Sequence, residues 1–204
     1  MLNWRWEVCG ISRIKIPFEN IYTSVFFIET EDGNILVDCG TTEKDVDEQI
    51  VPALCQIGSG LNDLRYLVLT HNHSDHAGGL TRILRLNPKI KVIRNERMDF
   101  ANDLTVYALK GHTADCIGVL DERTGTLISG DALQGMGVEK YPCSIESVSE
   151  YLNTIERIKT DKRIKNILFS HAYEPWRKDG MFGREEVDRC LQDCINLLCK
   201  DSER

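Results

Sequence analysis

The stretch His71-Asn72-His73-Ser74-Asp75-His76 constrains this chain more than any other. It places three imidazoles and a carboxylate within six residues, directly after the apolar run Tyr66-Leu67-Val68-Leu69. That run reads as a buried strand. Gly78-Gly79 follows, then Leu80 to Leu86, which reads as a short helix. The cluster therefore sits at the mouth of a strand, where α/β proteins keep their ligands.

The rest of the chain supplies similar strand ends. Residues 5–16 and 21–30 alternate and are rich in β-branched and aromatic types, so two strands are expected, with Pro17 to Asn20 between them. Glu31-Asp32-Gly33-Asn34 is a hairpin turn leading to the strand Ile35-Leu36-Val37, which ends at Asp38-Cys39-Gly40. Residues 43–57 carry a 3.6-residue apolar period, with Pro52 inside as a source of kinking. Further strands are expected over 90–93, 104–109, 116–120, 126–129 and 167–169. Residues 144–160 form the clearest helix, with Ser144 as its cap, and 184–199 form a closing helix. Asp38, His71, His112, Asp131 and His171 each follow an apparent strand end. Strands sharing one orientation at one rim would bring all five side chains together.

His71, His73, His76, His112 and His171 are all the histidines of the chain. Imidazole and carboxylate suit borderline divalent metals. His71 and His73, two apart on a loop, can point the same way, while Asp75 and His76 can point at a second position. Two metals about 3.5–4 Å apart are a known catalytic arrangement.

Composition bounds the remaining possibilities. A length of 204 residues fits a single domain over 1–204. A net charge of -7 disfavours nucleic acid and anionic membrane surfaces as partners. No apolar run approaches the ~20 residues that span a bilayer, and the first ten residues lack the core of a secretory signal. A cytoplasmic protein is expected. The eight cysteines, Cys9, Cys39, Cys55, Cys116, Cys143, Cys190, Cys194 and Cys199, lack CxxC pairs and read as mostly buried thiols. Cys190 and Cys194 share a helical face with Leu191, Ile195 and Leu198, which favours core packing.

THNHSDHAGG resembles the HxHxDH signature of the metallo-β-lactamase superfamily. Gly111-His112-Thr113, Ser129-Gly130-Asp131 and Ser170-His171 resemble its later ligand motifs in order, and Leu36-Val37-Asp38-Cys39-Gly40 its earlier Asp-Gly turn. The resemblance covers about residues 20–175. It implies an α/β fold, the four-layer αββα sandwich of the metallo-β-lactamase type. It also implies two divalent metal ions, zinc ahead of iron or manganese. One ion would take His71, His73 and His112, and the other Asp75, His76 and His171, with Asp131 bridging. His at position 73 rather than Glu argues against the oxygen-reducing diiron branch. Asp131 stands where one class of secreted β-lactamases has a cysteine ligand.

The chemistry implied is hydrolysis of a small activated carbonyl compound, a thioester, lactone or ester, by metal-activated water. Asp75 and Asp131 are the catalytic carboxylates, Asp75 orienting the nucleophile and passing a proton. Asp38 is a residue behind the ligands or a plain turn former. Tyr173 either binds an oxyanion or packs. Gly135-Met136-Gly137 is a loop near the pocket or a connector. Cys39 and Cys116 either touch metal or thiol substrate or simply pack.

Glyoxalase II is similar in motif but carries a glutathione-gripping helical domain, and only 33 residues follow His171 here. Ala114-Asp115-Cys116 replaces the Pro-Gly of many relatives. The acidic balance argues against the tRNA-processing branch. Two other readings stand. One is a mononuclear iron dioxygenase of a persulfide, using His71, His112 and Asp131. The other is a non-catalytic metal-binding domain. The oligomeric state is left open.

Overall fold

The computed structural model describes residues 5–19, 21–101, 103–133, 145–172 and 178–201. Tyr173, Cys143 and Gly135-Met136-Gly137 lie outside the described residues. The chain forms two compact units, one running through Arg94 and the other starting at Asn95.

The first unit holds six strands: β1 (Arg5–Val8), β2 (Ile11–Phe18), β3 (Ile21–Ile28), β4 (Asn34–Val37), β5 (Leu64–Val68) and β6 (Lys91–Ile93). They pair in chain order in a single sheet. Neighbours are antiparallel from β1 to β4, then β4, β5 and β6 are parallel. Residues 5–16, expected as one strand, are two, because the chain reverses at Cys9-Gly10 and pairs β1 with β2.

The two-residue period decides which face each side chain takes. Ile14, Ile16, Val25, Phe27, Leu36, Leu67 and Leu69 form one core with Val46, Ile50, Ala53, Leu54 and Ile83 from the helices. The alternate set Phe26, Ile28, Ile35, Val37 and Val68 is also fully buried, so this sheet is covered on both faces.

The helical run after β4 is not uniform. It passes from Glu43–Asp45 through a π segment, Val46–Ile50, to Val51–Gln56. Pro52 has no N–H to give to the carbonyl four residues back. The ladder widens just before it, and the Val51 N–H reaches the Val46 carbonyl. The expected disturbance is thus a widening that leaves the helix running.

The second unit holds β7 (Arg97–Ala101), β8 (Leu104–Ala108), β9 (Ile117–Asp121), β10 (Thr126–Ile128), β11 (Asn166–Leu168) and β12 (Gly180–Phe182), paired again in chain order. The short edge strands β7 and β12 were not expected from the pattern. β8, β9 and β10 alternate in direction, while β10 and β11 are parallel. It follows that β8, β10 and β11 all run the same way.

Helices Val148–Thr160 and Arg184–Asp201 cover one face through Tyr151, Ile155, Ile158, Val187, Cys190, Leu191 and Cys194. The first begins four residues later than expected. Ser147 caps it by accepting the Glu150 N–H, and Ser144, the expected cap, lies outside the described residues. Among the described residues, no helix is long and apolar enough to cross a membrane.

Candidate metal centre

In the first unit the His cluster leaves the end of β5 and Asp38 the end of β4. The two strands are parallel, so both side chains start from one sheet edge. The cluster changes backbone conformation midway. His73 has extended φ and ψ (-63°, 149°), and a short helix, Ser74–Ala77, begins after it. His71 and His73 therefore project from extended chain, with ring centroids 4.5 Å apart. Asp75 and His76 project from a helical turn. His71, Asp75 and His76 are buried and His73 is exposed.

A buried carboxylate holds this loop. Asp38 Oδ1 accepts the Thr70 N–H at 2.8 Å, and Oδ2 accepts the Thr70 hydroxyl at 2.8 Å. His76 Nδ1 lies 2.7 Å from Asp38 Oδ2. A carboxylate can only accept, so His76 carries its proton on Nδ1 and keeps a lone pair on Nε2. The Thr70 hydroxyl has spent its one proton on Asp38. His71 Nδ1, 3.2 Å from that oxygen, must then be the donor, which leaves the His71 Nε2 lone pair too. One carboxylate and one hydroxyl thus set the ligand tautomer of two histidines.

Asp75 is held from a different strand: the Thr23 hydroxyl in β3 donates to its Oδ2 at 2.8 Å. The same Oδ2 lies 3.2 Å from His76 Nε2. A carboxylate oxygen and an imidazole lone pair this close fit a shared cation. The approach of the Asp38 turn to the cluster needs glycine. A Cβ on Gly78 would lie 1.8 Å from the Thr41 carbonyl oxygen, and one on Gly79 2.2 Å from that of Cys39.

In the second unit His112 follows β8, Asp131 follows β10 and His171 follows β11. Since those strands run the same way, the three side chains gather at one edge. Asp131 stands between the imidazoles, with Oδ1 3.3 Å from His171 Nε2 and Oδ2 3.8 Å from His112 Nε2. A carboxylate presenting one oxygen to each of two imidazoles has the form of a bridging ligand. His112 is pinned through its neighbours. Gly111 takes φ +136°, and a Cβ there would meet Tyr151 Cα at 2.6 Å. The Ser147 N–H donates to the Gly111 carbonyl and the Glu146 N–H to that of His112.

All seven expected ligands, and no other described His, Cys, Asp or Glu, fall in groups able to hold a metal ion. The cysteines beside them do other things. Cys39 is buried and donates its thiol to the His76 carbonyl at 3.2 Å; burial pushes its pKa far up. Cys116 sits 3.0 Å from the Thr113 hydroxyl, and burial pushes its thiol up to about 11. Cys190 is raised by its neighbour Cys194 and by burial. Cys39, Cys116, Cys190 and Cys194 are buried, as expected of most of the thiols, while Cys9 and Cys55 are exposed. Thr70 and Thr23 were missed from sequence. The only signal for Thr70 was its place between a strand and the first histidine.

A model of the metallo-β-lactamase superfamily matches residues 20–107. A Caenorhabditis elegans β-lactamase-like protein 2 homolog is 29% identical over 164 residues, covering 70% of this chain and 54% of its own length. A hydroxyacylglutathione hydrolase of Vibrio cholerae is 25% identical over 202 residues, covering 86% of this chain and 75% of its own length. The chain thus spans about half of the nematode relative and three quarters of the bacterial one. The solved metallo-β-lactamase of Pseudomonas aeruginosa in its mono-zinc form superposes with a TM-score of 0.74 at 17% identity, over 96% of each chain. That likeness shows the α/β sandwich fold of the metallo-β-lactamases, the class expected from the HxHxDH motif.

Proposed function

We propose that the chain, whose residues 20–107 match the metallo-β-lactamase superfamily model and whose fold is that of the metallo-β-lactamases, is a dinuclear metal hydrolase of a small activated carbonyl compound. The observation that carries this reading is Asp131, which offers one oxygen to His112 and the other to His171. In this reading His71, His73 and His112 hold one ion and Asp75, His76 and His171 the other, with Asp131 bridging. Zinc is the first choice of metal, since the donors are imidazole and carboxylate. Bound divalent ions supply Lewis acidity and bring the pKa of water toward neutrality.

The chain's own residues do the rest. Asp38 and Thr70 keep His76 and His71 in the tautomer that can ligate. Thr23 holds Asp75 by its Oδ2, and in this reading Asp75 serves as orienting base and proton carrier. The substrate class is a thioester, lactone or ester; the hydroxyacylglutathione named for the Vibrio relative supports the thioester. A cytoplasmic location and a small-molecule rather than nucleic-acid partner belong to the same reading.

The test is metal content on protein purified without air or chelator, with the same sample assayed on thioester, lactone and ester panels. Two ions per chain, with hydrolysis lost in Asp131→Ala, is the expected result. One iron per chain with oxygen uptake on a persulfide and no hydrolysis would replace this reading by the dioxygenase. Bound metal with no turnover of any kind would leave a metal-binding domain.

A further inference from the structure

We propose that Glu146 is a positioning residue for His112, fixing the direction of that imidazole by gripping its loop with both its main chain and its carboxylate. The inference rests on the ligand set proposed above, in which His112 shares an ion with His71 and His73. His112 lies past the end of β8, where strand pairing no longer sets the backbone. The Leu109 N–H still reaches the Cys116 carbonyl at 2.8 Å, and residues 110–115 lie beyond that bond. Inside the loop the Gly111 N–H donates to the Thr113 carbonyl at 3.3 Å, and the Thr113 hydroxyl to Asp115 Oδ1 at 2.6 Å. These bonds close the loop on itself without tying it to the rest of its unit.

The start of the helix Val148–Thr160 supplies the tie. The Ser147 N–H donates to the Gly111 carbonyl at 3.1 Å and the Glu146 N–H to the His112 carbonyl at 3.3 Å. Those carbonyls belong to the two planar peptides that flank the His112 Cα, so both of its backbone dihedrals are held. The carboxylate adds the next peptide: Glu146 Oε2 accepts the Ala114 N–H at 3.1 Å. That bond needs an N–H at position 114, which alanine has and proline lacks. Glu146 thus grips the chain on both sides of Thr113. The anchor is itself fixed, because Ser147 caps the helix and the Thr154 hydroxyl, two turns on, donates to the Lys110 carbonyl at 2.7 Å. A ligand whose backbone is held before the ion arrives binds it with less ordering cost.

Glu146→Ala deletes the carboxylate and leaves the main-chain bond to His112. Glu146→Gln keeps an oxygen that can accept the Ala114 N–H. Chelator competition with zinc is run in two backgrounds: His171→Ala, which leaves the ion at His112, and His71→Ala, which leaves the other. Ala114 and Glu146 are exposed, so water competes for the bond and the effect is moderate. Glu146→Ala is expected to weaken zinc about three- to tenfold in the first background and less than about twofold in the second. Glu146→Gln should recover most of the loss. Should neither background hold zinc, the otherwise intact chain decides: weakening that Glu146→Gln recovers supports the role, and its absence overturns it.

A second readout needs neither metal nor turnover. In metal-free protein the Ala114 amide proton should shift upfield in Glu146→Ala and return in Glu146→Gln. An unmoved amide, no weakening in the first background, or equal weakening in both overturns the proposal. The same samples are assayed on the thioester, lactone and ester panels. Selective weakening in protein that hydrolyses none of them keeps Glu146 in this role and removes the hydrolase reading.

Discussion

Replacing Asp38 by Asn isolates what one buried oxygen does. Asp38 has φ +64°, a left-handed conformation that asparagine also tolerates, so the backbone is not newly strained. The amide oxygen can still accept the Thr70 N–H now taken by Oδ1. The amide NH2 then falls where Oδ2 was, facing the Thr70 hydroxyl and His76 Nδ1–H. Two N–H donors cannot face each other at 2.7 Å, the present His76 to Asp38 separation. His76 relieves the conflict by moving its proton to Nε2, the atom proposed to ligate.

The lost bond is to a charged group, worth about 1.5–3 kcal/mol. At about 1.4 kcal/mol per decade this is about 10- to 100-fold in metal affinity, the range seen when residues behind metal ligands are removed. Chelator competition with zinc reads the affinity, and the 15N shifts of the His76 ring read the tautomer. Binding at His76 should weaken by that factor, and binding at His71 should weaken too, because the Thr70 hydroxyl loses the acceptor that fixes its proton. Unchanged affinity for both, with His76 still protonated at Nδ1, would refute the tautomer argument.

Thr23→Val removes the hydroxyl from Asp75 Oδ2 without changing shape much; kcat should fall about fivefold, about 1 kcal/mol, and Thr23→Ser should recover it. Gly79→Ala puts a methyl 2.2 Å from the Cys39 carbonyl oxygen and 2.6 Å from Val46 Cγ2; a loss of about 3 kcal/mol or more is expected, read by denaturant unfolding. Asp161 accepts Arg163 Nε at 3.0 Å and Nη2 at 2.7 Å, and this guanidinium holds its carboxyl well below the usual range. The lowered folded pKa makes that stabilisation full above about pH 4, and it is lost as the pH falls further. Asp161→Asn should therefore cost about 1 kcal/mol at pH 7, discounted for the exposed Arg163, with the gap to wild type closing toward pH 2. A gap that persists in acid would assign the effect to packing.

The parts legible in the sequence are those set by local period. Strand ends at Asp38, His71, His112, Asp131 and His171 could be read because apolar runs stop at each, and the common direction of β8, β10 and β11 brings the last three to one edge. What escaped reading depends on partners far along the chain. Thr23 and Asp75 are 52 residues apart, and a threonine in an alternating strand looks solvent-facing until that carboxylate is placed on it. Asp38 read equally well as a turn former, since its left-handed φ makes it one, yet its side chain also joins Thr70 and His76. Edge strand β12 escaped because three residues carry little apolar alternation, whereas β7 does alternate over Arg97-Met98-Asp99-Phe100 and could have been read. Ser144 and Ser147 are both good caps by type, and the pattern alone does not point to Ser147, which accepts the Glu150 N–H while its own N–H is held by the Gly111 carbonyl.

Charge ties these pieces together. Asp38, Asp75 and Asp131 are at most 7% exposed, and a buried carboxylate is costly unless matched by positive charge. Thr23 and Thr70 supply hydrogen bonds but no charge. The five histidines cannot both ligate and carry protons on every nitrogen, so as neutral ligands they do not balance the carboxylates either. The two divalent ions proposed would exceed three carboxylates by one positive charge, which a hydroxide or a substrate oxyanion would fill. Asp38 belongs to that balance although it touches no metal in the proposed assignment. Its removal therefore does two things at once, changing the His76 tautomer and deleting a negative charge that favours the cations. Asp38→Asn and Asp38→Ala share the second effect and differ in the first. A larger loss of metal in Asn than in Ala would mean that the misplaced proton, rather than the missing charge, is what the site tolerates least.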